Sequence, residues 1–164
     1  MSGWWAGKIR QFVRHLTGRV SAAERTALSA WLTPAQMALF GSMHRADQRH
    51  GLDVLADLRR TGHDEPDLLL AGLLHDASKG PGVGIWHRVA WALGEHHGAR
   101  IHRLAARLPG FGPALERIRE HPVRSAELAL AAGCSSRTAE LIRHQSAPVD
   151  AGAGEALRLA DGRN

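Results

Sequence analysis

Only one cysteine, Cys134, stands in 164 residues, so no internal disulfide can form and no thiolate cluster can hold a structural zinc. A lone thiol suits a reducing compartment, and the cytoplasm is the expected location. No apolar run approaches the length of a membrane span, and the tryptophan-bearing N-terminus is too short and too interrupted for a signal peptide. Convincing apolar–polar alternation, the mark of a half-buried strand, is missing, as are internal repeats and low-complexity tracts. The glycine-rich stretch from Gly80 to Gly84 lacks the Lys-Ser or Lys-Thr that opens a helix after a phosphate-cradling loop, so it reads as a flexible connection.

What is present is enough for one core. The apolar fraction is 44%, which supports a single domain with an N-terminal extension. The formal charge of +5 comes from arginine far more than lysine and favours anionic partners in general. These arginines are scattered over many segments without a recognised binding motif, so no nucleic-acid partner is expected. Eleven histidines are the unusual count.

Helical spacing runs through the chain, and the fold class expected is all-α. Trp5, Ile9, Phe12, Val13, Leu16 and Val20 lie opposite Lys8, Arg10, Arg14 and Arg19, a basic amphipathic helix over residues 4–20. Packing on the domain is its expected role, with membrane-surface or partner contact as the alternative. Ser21 with Glu24 reads as a capping box, Thr33-Pro34 as a helix start, and Arg45 to Arg60 as a helix carrying Leu52, Leu55 and Leu58. Pro66 opens a Leu-rich helix leading to His75-Asp76. Further helices are expected over Ile85–Leu93, Ala99–Leu108, Ala114–Glu120, a start at His121-Pro122 reaching Ala132, Arg137 to Gln145, and Glu155 to Asp161.

The stretch Leu73-Leu74-His75-Asp76-Ala77-Ser78-Lys79 organises the rest. Two ionisable neighbours at the end of a buried helix are costly unless compensated, and a metal ion compensates imidazole and carboxylate together. Other ionisable residues sit where helices can aim them inward. His50 lies four residues before Val54 on an apolar face, and His121 stands by Pro122 with Ala126 and Leu130 on its side. His144 closes the segment carrying Ala139, Leu141 and Ile142, and Asp161 ends the run Leu157, Leu159, Ala160. His87, His96, His97 and His102 are rivals within the long stretch from Gly82 to Arg119. Adjacent His96 and His97 point about 100° apart on a helix and rarely share one ion.

In order, His50, His75-Asp76, His121, His144 and Asp161 resemble the pattern of the HD-domain metal-dependent phosphohydrolases. The segments carrying the resemblance are Asp47 to Val54, Ala71 to Lys79 and Leu157 to Asp161, so it covers residues 44–164 and leaves 1–43 as an N-terminal helical extension. His121 and His144 resemble the two extra histidines of two-metal members. The Gly-Tyr-Pro signature of the cyclic-dinucleotide phosphodiesterases is absent, since the chain has no tyrosine. Ser78 stands where a glycine is common.

The resemblance implies a compact HD-like helical bundle binding one or two divalent transition ions, from manganese, iron, nickel, cobalt or zinc. His50, His75, Asp76 and Asp161 would hold one ion, and Asp76 would bridge to another held by His121 and His144. Asp76 and Lys79 are the expected catalytic residues, and Lys79, Arg49, Arg124 and Arg143 the expected contacts to a small phosphorylated substrate, a nucleotide above all. The alternative is a non-catalytic HD-type module that binds a nucleotide or a protein partner.

Overall fold

The computed structural model describes residues 18–80 and 82–164. The amphipathic segment read over residues 4–20 therefore lies, up to residue 17, outside the described residues. Nine helices and no strand occur among the described residues, and the protein is all-α. They are α1 (Ala22–Ser29), α2 (Pro34–Ser42), α3 (Arg45–Arg60), α4 (Pro66–Leu74), α5 (Ile85–His97), α6 (Ala99–Ala105), α7 (Phe111–Ala131), α8 (Ser136–Arg143) and α9 (Ala153–Arg163). Among the described residues no helix is long and apolar enough to cross a membrane.

Local sequence sets the starts. Ser21 Oγ accepts from the Glu24 amide while Glu24 returns a carboxylate oxygen to the Ser21 amide, and Thr33 with Gln36 repeats the exchange ahead of Pro34. Helix α4 is apolar all round, with Leu68, Leu69, Ala71, Leu73 and Leu74 buried, so it takes the centre of the bundle. Leu52, Val54, Leu55 and Leu58 of α3, Ala139, Leu141 and Ile142 of α8, and Leu157 and Ala160 of α9 close around it. Leu28, Leu32, Phe40 and Met43 join the same core from the N-terminal side, and Val20 packs against it.

A second, smaller cluster unites Val83, Ala105, Leu115 and Ile118, with Ala90, Trp91 and Phe111 against it. It seats the α5–α6 hairpin on the first half of α7. Arg88 ties that hairpin to α3 through Asp47, which is fully buried, at 2.7 and 3.0 Å.

Two departures from the sequence reading concern the site. The helix before His75-Asp76 ends at Leu74, and His75 to Lys79 form a tight turn in which the amide of Ala77 reaches Leu74 O and that of Lys79 reaches Asp76 O. Lys79 is thus one turn-bond from Asp76 rather than one helical turn beyond His75. The break expected between Glu120 and His121 is also missing: α7 is one 21-residue helix with Pro122 inside it. An interior proline costs about 3 kcal/mol by removing an amide and crowding the carbonyl four residues back. Here that carbonyl, of Ile118, receives Nδ1 of His121 instead.

Where α3 crosses α4 the backbones come very close. A Cβ at Gly51 would lie 2.4 Å from the carbonyl oxygen of Leu73, so only glycine fits beside His50. Gly51→Ala is expected to force α3 off α4, at about 1–3 kcal/mol for an overpacked core position. Thermal melts check it; an unchanged midpoint would mean the two helices separate freely.

Candidate metal centre

His75, the C-cap of α4, directs Nδ1 to the carbonyl of Gly72 at 3.0 Å. A carbonyl only accepts, so Nδ1 carries the hydrogen and the neutral ring keeps its lone pair on Nε2. His121 does the same with the carbonyl of Ile118. Both Nε2 atoms then face Asp76 Oδ1, at 3.5 Å from His75 and 3.3 Å from His121. The other carboxylate oxygen, Oδ2, accepts from Lys79 Nζ at 2.5 Å.

The second carboxylate enters from α9. Asp161 Oδ1 lies 2.8 Å from His50 Nε2 and 3.5 Å from His75 Nε2. The rings of His50 and His75 meet edge to face, 5.1 Å between centroids, where α3 crosses α4. The site has a closed end and an open one. The side chains of His75 and Asp76 are each 1% exposed, while that of Asp161 is 41% exposed.

Two buried atoms at the closed end, His75 Nε2 and Asp76 Oδ1, have no hydrogen-bond partner. Leaving either unsatisfied is costly, and two acceptors cannot satisfy each other. A proton on Nε2 or a cation between them does. Ligand atoms of His50, His75 and Asp76 all lie within 4.8 Å of one another, a spacing that fits one ion.

The electrostatics agree. Burial disfavours a charged His75, but Asp76 and Asp161 overcome it and raise the imidazole to about 9. Burial likewise pushes Asp76 up, and His75, Lys79 and His121 hold it well below the usual carboxylate range instead. Asp161 is opposed by desolvation and still pulled down by its contacts with His50 and His75. Two ionised carboxylates around buried imidazole form a site for positive charge.

Supports that sequence reasoning missed hold this set. Ser78 Oγ donates to the carbonyl of His121 at 3.0 Å, the Ser78 amide donates to Ser125 Oγ at 3.1 Å, and the Ser125 hydroxyl bridges to that of Ser78 at 3.1 Å. Gln145 Nε2 donates to the carbonyl of His75 at 3.3 Å. Neither the serine pair nor Gln145 carries a signal in the chain, since their partners lie 47 and 70 residues away.

The structure thus brings together His50, His75, Asp76, His121, Asp161 and Lys79. His144 makes no side-chain hydrogen bond or ion pair with them among the described residues. It lines a pocket with Arg137, Glu140, Asp150 and Gly154. Of the arginines, Arg49 is engaged by Glu24 at 2.6 Å and Asp53 at 2.9 Å, and Arg124 by Glu120 at 2.5 Å, while Arg143 is exposed. Arg49 lowers Glu24 to about 2. Among the rival histidines, His87 accepts from the Gly84 amide and meets Phe111 edge-on, and His102 stacks on Trp91 and bonds its carbonyl. Cys134 is buried beside Gln36. No family model, curated protein or solved structure matches the chain.

Proposed function

We propose that the protein is a metal-dependent phosphohydrolase of the HD type, acting on a nucleotide or another small phosphate ester. The observation that carries this reading is the pair of partnerless buried atoms, His75 Nε2 and Asp76 Oδ1, ringed by His50, His121 and Asp161. Imidazole and carboxylate donors without thiolate suit manganese, iron, nickel, cobalt or zinc. His50, His75, Asp76 and Asp161 would hold such an ion, and His121, whose Nε2 lies 3.3 Å from Asp76 Oδ1, would join them. Such an ion supplies charge against a departing oxygen and acidifies a water.

The chain's own groups do the rest. Asp76 stays ionised and fixes the donor set, with Lys79 neutralising its outer oxygen. An ammonium has three donors, so Lys79 keeps two for a phosphate oxygen while one remains on Asp76. The substrate would enter on the side of Asp161, whose side chain is 41% exposed. The test is metal content of the purified chain, followed by release of inorganic phosphate from a panel of nucleotides with each of the five metals. One or two ions per chain with metal-dependent release is expected; no metal under any loading condition would sink the reading.

A second reading, an HD-type module that binds without turnover, is favoured by one observation. Arg49 and Arg124, expected at a substrate phosphate, are held by the chain's own carboxylates. Metal uptake without phosphate release from any nucleotide of the panel would select it.

A further inference from the structure

His75 and His121 present Nε2 to the same carboxylate oxygen because each gives Nδ1 to a main-chain carbonyl of its own helix. The two carbonyls are available for different reasons. Gly72 lies in the last turn of α4, where carbonyls have no partner within the helix. Ile118 lies in the middle of α7, where every carbonyl is ordinarily taken by the amide four residues on. For Ile118 that residue is Pro122, which has no amide hydrogen.

We infer that Pro122 is a positioning residue: by withholding an amide from the Ile118 carbonyl, it gives that oxygen to His121 Nδ1 and keeps the lone pair of Nε2 on Asp76. The inference rests on the metal-centre reading for its consequence, and on the helix geometry for its content. With an amide at position 122 the carbonyl has a competing donor in line with the helix axis. The ring then loses its anchor and is free to place its hydrogen on Nε2, facing Asp76 Oδ1 at 3.3 Å as a donor rather than a ligand. The carbonyl of His121, held by Ser78, keeps the backbone in place meanwhile, so the change falls on the ring.

Pro122→Ala and Pro122→Ser both restore the amide, and both remove a residue that disfavours helix, so each is expected to fold. The full chain is prepared free of metal, at one pH throughout, and the His121 tautomer is read from long-range proton–nitrogen correlations. Wild type is expected with its hydrogen on Nδ1, the variants with a share on Nε2, while the His75 signals, with that ring anchored on Gly72, are the same in all three. Titration with Mn²⁺ alone is expected to show affinity lower by about tenfold in both variants, the usual scale for losing a residue that orients a ligand. An unchanged His121 tautomer, or a shifted tautomer with wild-type Mn²⁺ affinity, would overturn the inference. A wild type that takes up no Mn²⁺ would sink the metal centre itself, and the metal-free tautomer comparison then still decides the role of Pro122.

Discussion

Asp76→Ala is expected to lose metal uptake, with Mn²⁺ affinity falling by more than about 100-fold, beyond the cost of removing an outer partner. Asp76 Oδ1 is the atom on which the Nε2 atoms of His75 and His121 converge, so no other oxygen of the chain takes its place. Phosphate release should fall with it, by about 10³-fold or more, since one side chain serves the whole donor set. The fold is expected to survive. Removing the carboxylate takes away a buried charge, and His75 loses the field that raises it to about 9 against its burial. Lys79 is left without its partner, but its side chain is 17% exposed and can turn to water.

Because Asp76 is held well below the usual carboxylate range, its ionised form contributes stability at neutral pH, so the metal-free variant should melt below wild type, and the gap should widen when metal is added. At a metal concentration 100 times the wild-type dissociation constant, wild type gains about 2.7 kcal/mol and the variant at most about 0.4 kcal/mol. Elemental analysis and melts with and without Mn²⁺ check both halves. Wild-type metal content in the variant would remove Asp76 from the site. A gap that does not widen with Mn²⁺ would make Asp76 a structural residue alone.

Much of the scaffold is written locally in the chain. Capping at Ser21 and Thr33, the α3 span from Arg45 to Arg60 and the Leu-rich approach to His75 follow from short-range rules, and the structure has them at those residues. The inward aim of His50, His75, Asp76, His121 and Asp161 is also legible, because each lies at a helix end or on an apolar face. What is not legible is which neighbours in sequence stay neighbours in space. Arg49 adjoins His50, yet residues adjacent on a helix diverge by about 100°, and α1 lies on Arg49's side with Glu24 ready to pair. Proline at 122 reads as a helix start because its missing amide is usually harmless only there. A side-chain ring nitrogen of the same helix, that of His121 three residues on from Ile118, fills that gap, which no propensity contains. His144 closes its helix as expected, and the residue after it, Gln145, reaches the carbonyl of His75.

Arg163→Ala is expected to reach the same site from outside it. Near the end of α9, Arg163 donates to Asp57 Oδ2 on α3 through Nε at 2.8 Å and Nη2 at 2.5 Å, two residues past Asp161. Asp57 is 8% exposed, so this is more than a solvent-bathed pair, although the Arg163 side chain is 45% exposed and screening reduces its worth. With that discount, the loss is about 1–2 kcal/mol at neutral pH, from charge-assisted hydrogen bonds normally worth somewhat more. The freed end of α9 also lets Asp161 leave His50 and His75, so Mn²⁺ affinity should fall although no ligand is changed.

The pH dependence carries a definite sign. Burial raises Asp57, but its bonds to Arg60 and Arg163 prevail and hold it below its ordinary value of 3.8. A carboxyl that ionises more readily folded than unfolded contributes stability above the unfolded value, and loses it as pH falls through the lowered folded one. Wild type and Arg163→Ala should therefore differ most at pH 5–7 and converge in acid below about pH 4. Melts of both proteins across that range, with Mn²⁺ titrations at pH 7, separate the outcomes. Equal melting points at pH 7 would reduce the Asp57–Arg163 pair to a surface contact. A stability loss with full Mn²⁺ affinity would show that Asp161 is held by the packing of Leu157 and Ala160 alone, both of which are wholly buried.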